Sequence, residues 1–428
     1  MLAAMPPTPP PVPEPGEPRI RDRGDACPGA LRLHSADDGR LARLRLPAGR
    51  LTSRQVETLA DAAETLGDGR ISITSRGNAE LRGLTDDCGA ELAALLDEAG
   101  LLPSPTHERV RNIVASPAAG LDGLGTADVQ LWARELDALL CAAPWAAALS
   151  GRFLFVLDDG RGDVAGLGGD VTLVAVGRGE AQLHVGGRAV RLSGSDAPGA
   201  ALAVAGGFLA AARKAGTGAW RVRELPEGYE VDVAESGVTA EPVAAPELPQ
   251  GPPLPPGTLG AAALSLLAPL GRLTAAQLRA LLPADEVRLT PWRGVVVVGA
   301  GAERLPALDA AGLITRADSP WAGVTACTGR PGCAKSLADV RADAVPGPRP
   351  DHTGLPVHPD RPGLSSRPDH TDRPGLPVHF SGCERRCGHP HGDWTDVLAT
   401  AGGDYLVDGV PTPRTALPEA VTAARTTR

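Results

Sequence analysis

The feature that most constrains this chain is that it repeats itself. The string GRLTSRQ at 49–55 returns as GRLTAAQ at 271–277, and each copy opens an amphipathic segment. Thr52 and Thr274 are natural helix N-caps with a glutamine three residues on, a capping-box pattern in which hydroxyl and amide satisfy each other's exposed backbone donors. Each helix is followed by a short β-rich string ending in a polar turn, RISITSRG at 70–77 and VRLTPWRG at 287–294. Then come AGLL at 99–102 and AGLI at 311–314. Four matches in one order argue against coincidence. Their spacing, far beyond the about 20–50 residues of a solenoid unit, makes this a duplicated domain. The alignment extends far enough to set Ser116 opposite Cys327. The chain therefore reads as two copies of one helix–strand unit, each followed by a larger α/β segment, with strands expected in the first half at 153–158, 171–176 and 181–185.

Composition narrows the function classes. A length of 428 residues suits two to three domains. The hydrophobic fraction of 43%, the charged fraction of 22% and a mean hydropathy of −0.06 describe a globular chain. A net charge of −9 excludes a generally basic nucleic-acid binder. No apolar run reaches the about 18 residues of a membrane span. The best, 200–212, is interrupted by Gly206 and Gly207 and closed by Arg213 and Lys214, and reads as a buried helix. Lysine occurs only at Lys214 and Lys335, so all but two of the 42 basic side chains are arginine, and an isolated arginine carries little information. Seven cysteines, an odd number, suit a reduced compartment, and with no secretory pattern before the proline-rich 6–18 the expectation is a cytoplasmic monomer. Residues 1–24 read as a solvated polyproline-like tail and 242–256 as a Pro-rich linker between the halves.

The cysteines carry the chemistry. Cys327 and Cys333 are spaced Cys-x5-Cys, and Cys383 and Cys387 Cys-x3-Cys. Four thiolates are what a 4Fe–4S cube needs, one per iron, and Gly332, Gly382 and Gly388 let backbone approach the sulfides. Zinc is the weaker alternative, since its knuckles favour Cys-x2–4-Cys. Cys88 and Cys141 read as packing residues; Cys27, in GDACPGALRLH, lies at a polar turn without an assigned role.

This cysteine pattern, late in a duplicated chain, resembles the nitrite and sulfite reductase family. ITSRGNAELRG at 73–83 is similar to that family's TTRQ segment, and HERVRNIV at 107–114 to its RNV segment. The resemblance implies an α+β fold: duplicated ferredoxin-like half-domains at 25–102 and 257–316, each followed by a mixed α/β sirohaem-type domain. These are a tetrapyrrole-binding domain at 103–241 and a cluster-binding domain at 317–428; within the latter the Pro-rich tandem copy reads as a disordered insertion at 345–376. It further implies that Arg76 and Arg111 face an oxyanion or the carboxylates of a tetrapyrrole. Bidentate guanidinium–carboxylate pairing makes arginine-dense turns suited to such a ligand. One departure matters. Where the reductases carry two lysines in a PRKFK turn, this chain reads LSGRFL at 149–154, with Arg152 for the first lysine and Leu154 for the second. An apolar residue supplies neither charge to a small dianion nor protons to its reduction.

The stretches GDACPGALRLH, SRGNAELRGL, PSPTHERVRNIVASP and VHFSGCERRCGHP resemble the precorrin-3B synthases of the same superfamily instead. That resemblance implies O2-dependent hydroxylation of precorrin-3A, with external electrons from NADH through a reductase or from ferredoxin. It implies a 4Fe–4S cluster on Cys327, Cys333, Cys383 and Cys387, and a second, mononuclear non-haem iron whose ligands the sequence does not reveal. Arg76, Arg111 and Arg152 would then clamp macrocycle carboxylates, with Arg109 beside them and Asn78 and Asn112 orienting them. The competing readings are a sulfite or nitrite reductase with bound sirohaem, and a non-catalytic tetrapyrrole or iron–sulfur carrier.

Weaker signals remain. DDGRGD at 158–163 lacks the closing glutamate of a Ca²⁺ loop and reads as a hairpin turn. No phosphate-cradling glycine motif follows a strand in proper context. RPDHTGLPVH at 349–358 recurs with a short insert at 367–379, a tandem copy that explains His352, His358 and His370 without a metal. His379, His389 and His391 flank the cluster cysteines and are the histidines expected to support or ligate iron.

Overall fold

The structure, a computed structural model, describes residues 25, 27–233, 237–244, 247–346 and 376–426. The proposed tail at 1–24, most of the 345–376 insertion and the histidines His352, His358 and His370 lie outside them.

The repeat is visible down to single hydrogen bonds. Helix Ser53–Leu66 begins with the Thr52–Gln55 capping box, at 3.3 and 2.9 Å, and Ala275–Ala280 with the Thr274–Gln277 box, at 3.1 and 3.0 Å. Each box contributes about 0.5–2 kcal/mol to its helix. The same glutamine then pins the matching turn: Gln55 Nε2 donates to the Ala99 carbonyl at 3.1 Å, and Gln277 Nε2 to the Ala311 carbonyl at 3.1 Å.

The two copies are interlocked. One antiparallel sheet takes its strands in the order His34–Ala36, Gly39–Leu44, Ala79–Leu84, Arg70–Ile73, and is closed by Arg272–Thr274 from the second copy. The other runs Gly257–Leu259, Ala263–Leu267, Gly294–Val298, Glu286–Leu289, and is closed by Arg50–Leu51 from the first. Each copy thus covers the open edge of its sister, and one apolar core runs through both, from Leu44, Leu59 and Ile71 to Leu266, Leu278 and Val295.

The two following segments also share a plan. In the first lobe Ile113–Ala115, Phe155–Asp158 and Val171–Gly177 are parallel and Glu180–Val185 turns back antiparallel; helices Val129–Ala142 and Ala197–Ala215 belong to the same apolar core. In the second, Val324–Ala326, Val378–Ser381 and Thr395–Ala399 are parallel and Tyr405–Val407 turns back. Ser116 and Cys327 each follow the first strand of their lobe, as the repeat alignment expects. Ala197–Ala215 is the buried helix expected around 200–212, and among the described residues no helix is long and apolar enough to cross a membrane.

Two readings need correction. DDGRGD is not a hairpin turn: the strands before and after it are parallel, so the chain must cross over, and it does so through the short helix Ala165–Leu167. The stretch 242–256 is not only a linker. Gly251 N–H donates to the Gly162 carbonyl at 2.9 Å, and residues 248–256 form one wall of a cavity.

Candidate functional site

The four cysteines converge because two adjacent parallel strands end side by side. Cys327 follows Val324–Ala326, and Cys383 stands two residues beyond Val378–Ser381. Cys327 N–H donates to the Phe380 carbonyl at 2.9 Å, and Gly382 N–H donates to Cys327 Sγ at 3.2 Å. A Cβ on Gly382 would collide with Ser336 Oγ, so this approach requires glycine. The Cys333 loop is pinned from the first half-domain: Arg82 forms a fork onto Asp38 at 2.8 and 2.9 Å and donates to the Gly332 carbonyl at 2.9 Å.

Partial desolvation pushes the Cys387 thiol up; Arg385 opposes this, and the thiols of Cys327, Cys383 and Cys333 add to it, so Cys387 lies near the other three. Among the described residues no three thiols lie within 4.8 Å of one another. Zinc at about 2.3 Å from each sulfur would hold them about 3.8 Å apart. The wider spread suits a cube carrying one thiolate at each iron corner. The surrounding charge fits as well. Arg293 and Arg341 are half-buried with no carboxylate at ion-pair distance among the described residues, and Arg341 Nε is buried with no hydrogen-bond partner. Burial and the repulsion of Arg272 and Arg293 push Arg341 down to about 9. Half-buried cations without carboxylate partners, beside four thiols, are what an anionic iron–sulfur group would neutralise. Arg293 also donates to the Gly388 carbonyl at 2.5 Å, and Gly388 has φ +83°, a left-handed conformation suited to glycine.

His379 lies beneath this loop, fully buried. It contacts Thr325 Oγ1 through Nδ1 at 2.9 Å, and Nε2 donates to the Cys387 carbonyl at 3.2 Å. Burial and Arg293 push it down to about 3, so it is a neutral brace for the loop. His389 stacks on Trp394 at 4.4 Å. His389 and His391 line a cavity of about 720 Å³, within the about 300–1,000 Å³ of ligand pockets. Its walls come from both halves: Ser75 and Asp163 from the first, Trp292, Arg293 and the 388–392 loop from the second, and 248–256 between them.

Arg76 stands at the junction. It is close enough to His391 to lower that residue's pKa, it has no ion-pair partner among the described residues, and burial with the repulsion of Arg221 pushes it down to about 10. Arg152 stacks on Trp220 at 4.8 Å, and Arg109 donates to the Asp25 carbonyl at 3.1 Å. Arg111 is different: it forms a fork onto Asp137 at 2.6 and 2.7 Å and is 6% exposed, so its charge is already matched inside the fold. The expectation that Arg111 clamps a ligand is corrected on that ground. Asn78 and Asn112 are also buried, and they link the arginine turns rather than face a ligand. Asn78 Oδ1 accepts from Leu46 N–H at 2.9 Å, Asn78 Nδ2 donates to Asn112 Oδ1 at 3.2 Å, and Asn112 Nδ2 donates to the Phe153 carbonyl at 3.0 Å. Leu154 lies in an apolar cluster with Val114, Val156 and Val164.

Sequence reasoning missed Arg45. It is 5% exposed, its Nε and Nη1 have no partner, and burial with Arg43 beside it pushes it down to about 10. Cys27 is near Arg45, Arg76 and Arg152, and its backbone N–H donates to Asp25 Oδ1 at 2.9 Å. Nothing in LARLRLP distinguished Arg45 from its neighbours, because only burial makes its charge informative. The tight carboxylate group among the described residues is Asp158, Asp159 and Asp163, and Asp158 and Asp159 are already saturated by backbone N–H groups and by Arg161.

Comparison with known proteins agrees with this architecture. Residues 34–99 match the nitrite/sulfite reductase ferredoxin-like half domain. A precorrin-3B synthase of a Sinorhizobium species is 28% identical over 408 residues, 90% of this chain and 83% of that protein. The ferredoxin–nitrite reductase of Synechococcus elongatus is 39% identical, but over 24% of this chain and 20% of its own length. The structure of the Mycobacterium tuberculosis NirA protein superposes with a TM-score of 0.63 at 17% identity, covering 89% of this chain and 79% of that one. Residues 34–99 thus match the ferredoxin-like half domain of the nitrite/sulfite reductases, and the fold around the duplicated core is shared with NirA.

Proposed function

We propose that this chain is an oxidoreductase of the precorrin-3B synthase type, which hydroxylates precorrin-3A with O2 and externally supplied electrons. The observation that carries the reading is the extent of the likeness. The precorrin-3B synthase is similar over 90% of the chain, whereas the similarity to the Synechococcus nitrite reductase covers 24%. The site supports it. Arg45, buried, and Arg76, half-buried, are cations without carboxylate partners among the described residues, suited to a large ligand bearing several carboxylates, and Leu154 is buried in an apolar cluster where a lysine would serve a small anion.

When bound, the cluster supplies single electrons. Cys327, Cys333, Cys383 and Cys387 would hold it, with His379 bracing the Cys387 loop and Arg293 and Arg341 balancing its charge. Arg76, near His391 of the cavity, and Arg45 would fix the macrocycle by its acidic side chains, and the 248–256 segment that lines the cavity would shield its apolar face from water. One oxygen atom enters the substrate as hydroxyl; the other leaves as water after taking up an electron pair and two protons. No step is assigned to a second iron.

The test is turnover of precorrin-3A with labelled dioxygen on protein whose iron and sulfide have been measured. Label in the new hydroxyl is expected. Undiminished turnover without oxygen, permanent sirohaem bands in the purified protein, or rapid sulfide formation from sulfite would overturn the reading in favour of a reductase.

A further inference from the structure

We propose that Arg82 and the Asp37–Asp38 turn of the first half-domain are the positioning groups of Cys333, holding its loop at one corner of the cluster and adding fixed charge to the field there. The inference rests on the reading of the four cysteines as cluster ligands.

Cys327 and Cys383 are placed by the adjacent parallel strands they follow, whereas Cys333 lies among turns. Bonds within its loop, Ser336 N–H to the Cys333 carbonyl at 2.9 Å and Arg330 Nε to the Ser336 carbonyl at 2.8 Å, give the loop its shape. Both residues that flank Cys333 are held from the other half of the molecule. Arg82 Nη2 donates to the Gly332 carbonyl at 2.9 Å, and Ala334 N–H donates to Asp37 Oδ2. These partners are 250 and 297 residues apart in sequence, so nothing local could replace them.

Arg82 is itself fixed. It is 7% exposed, its Nε and Nη2 form the fork onto Asp38, and Nη1 donates to Glu80 at 3.2 Å. Glu80 also accepts from Arg43 at 2.7 Å. A planar guanidinium held on three sides cannot swing, so the carbonyl it meets is held as well. The approach is close: a Cβ on Gly332 would stand 2.6 Å from Asp38 Oδ2 and 2.9 Å from Thr328 Cγ2.

The charge of Arg82 reaches the thiols' surroundings. Arg341 donates to the Ala326 carbonyl, next to Cys327; burial lowers its pKa, and Arg272, Arg293 and, more weakly, Arg82 add to this by repulsion. Reduction adds negative charge to a cluster, so a neighbouring cation favours the reduced state and a neighbouring carboxylate the oxidised one.

The test uses the full chain carrying measured iron and sulfide, with Arg82→Gln, Asp38→Asn and Asp37→Ala. Arg40→Gln is the control, because Arg40 lies on the same hairpin but bonds Asp86 and Ser35. The three variants should lose half their iron at about 10–100-fold less chelator than wild type, the usual cost of removing a group that orients a metal ligand. Arg40→Gln should match wild type. Once iron is stripped, alkylation should quicken at Cys333 and stay unchanged at Cys387. In a redox titration Arg82→Gln should lower the cluster potential, and Asp38→Asn and Asp37→Ala should raise it; loosening alone would move all three the same way. Asp37 is exposed, so Asp37→Ala carries the test even where Arg82→Gln fails to fold. Wild-type iron retention in Asp37→Ala and Asp38→Asn, equal gains in alkylation at both cysteines, or potential shifts of one sign overturn the proposal and leave the cluster reading intact. A wild type that holds no iron and sulfide overturns the cluster reading and this proposal with it.

Discussion

At the end of its first parallel strand one lobe carries Ser116 and the other Cys327, and both take the same hydrogen bond from the crossing loop. Asp159 N–H donates to Ser116 Oγ at 3.1 Å, and Gly382 N–H to Cys327 Sγ at 3.2 Å. The backbone geometry is shared, and the chemistry is opposite. In the first lobe the loop is acidic and closes on itself, with Asp158 saturated by backbone and Asp159 by Arg161. In the second lobe the loop carries thiols among half-buried cations that lack carboxylate partners among the described residues. One architecture thus became an oxygen site with Asp158 and Asp159 satisfied from within the loop in one copy, and a sulfur site among unmatched cations in the other. Only the second calls for a cofactor.

The comparison is broken most sharply at the cysteines. Serine at Cys327, Cys333, Cys383 or Cys387 should lose or degrade the cluster, because an oxygen ligand is a poorer match for this iron than thiolate. Serine at Cys88, buried in the half-domain core, or at Cys141 should leave iron and sulfide content unchanged. Wild-type cluster content in Cys387→Ser would remove the distinction between the lobes.

Two arginines that look alike in sequence should respond in opposite ways. Arg111→Ala strands Asp137 and should cost about 3 kcal/mol of stability, the low end for breaking a buried pair. Arg45→Met removes a buried charge whose Nε and Nη1 have no partner. It should raise the stability of the ligand-free protein by about 1–3 kcal/mol, the cost of unsatisfied buried donors. It should also weaken macrocycle binding by about 1.5–3 kcal/mol, roughly 10–150-fold. Denaturant melts and titration with uroporphyrin, a fluorescent tetrapyrrole polycarboxylate, read both effects; equal destabilisation by the two variants would contradict the geometry.

That contrast also marks how far the sequence could be read. The duplication was legible because Thr52–Gln55 and Thr274–Gln277 are local capping signals, and the cluster because cysteine spacing is sparse and specific. The edge exchange was not. Arg50–Leu51 and Arg272–Thr274 are too short to carry a periodicity, and their partners lie in the other copy. Nor was the sorting of the arginines, since Arg111, paired with Asp137, and Arg45, with no carboxylate partner, differ only in what the fold packs around them. DDGRGD was misread because strand direction leaves no mark on the loop that joins two strands.

The acidic loop carries the third test. Asp163 holds its proton in the folded state up to about 7 and in the unfolded state only to about 3.8. Between those values the native state binds more protons, so stability falls as pH rises, with a slope approaching about 1.4 kcal/mol per pH unit. Asparagine binds no proton in either state. The stability of Asp163→Asn relative to wild type should therefore improve steadily from about pH 4 to about pH 7 and level off above. A flat difference would mean that the first lobe's carboxyls are all ionised alike.

The smallest effect belongs to the length of the crossover that separates the first two strands of each lobe. In the first lobe it runs over 116–154 and includes helix Val129–Ala142; in the second it runs over 327–377 and contains the tandem copy. Deleting 351–369 joins Pro350 to His370 and leaves one copy of the repeated string. Loop-closure entropy grows only logarithmically with length, so the change should be under about 1 kcal/mol. The described contacts that set the cysteines belong to the strands and to 327–346 and 376–387, which the deletion leaves in place. Iron content, the visible spectrum and turnover should all survive. Loss of iron on deletion would instead make His352 and His358 ligands, and the second lobe's chemistry would then depend on its longer crossover as well as on its four thiols.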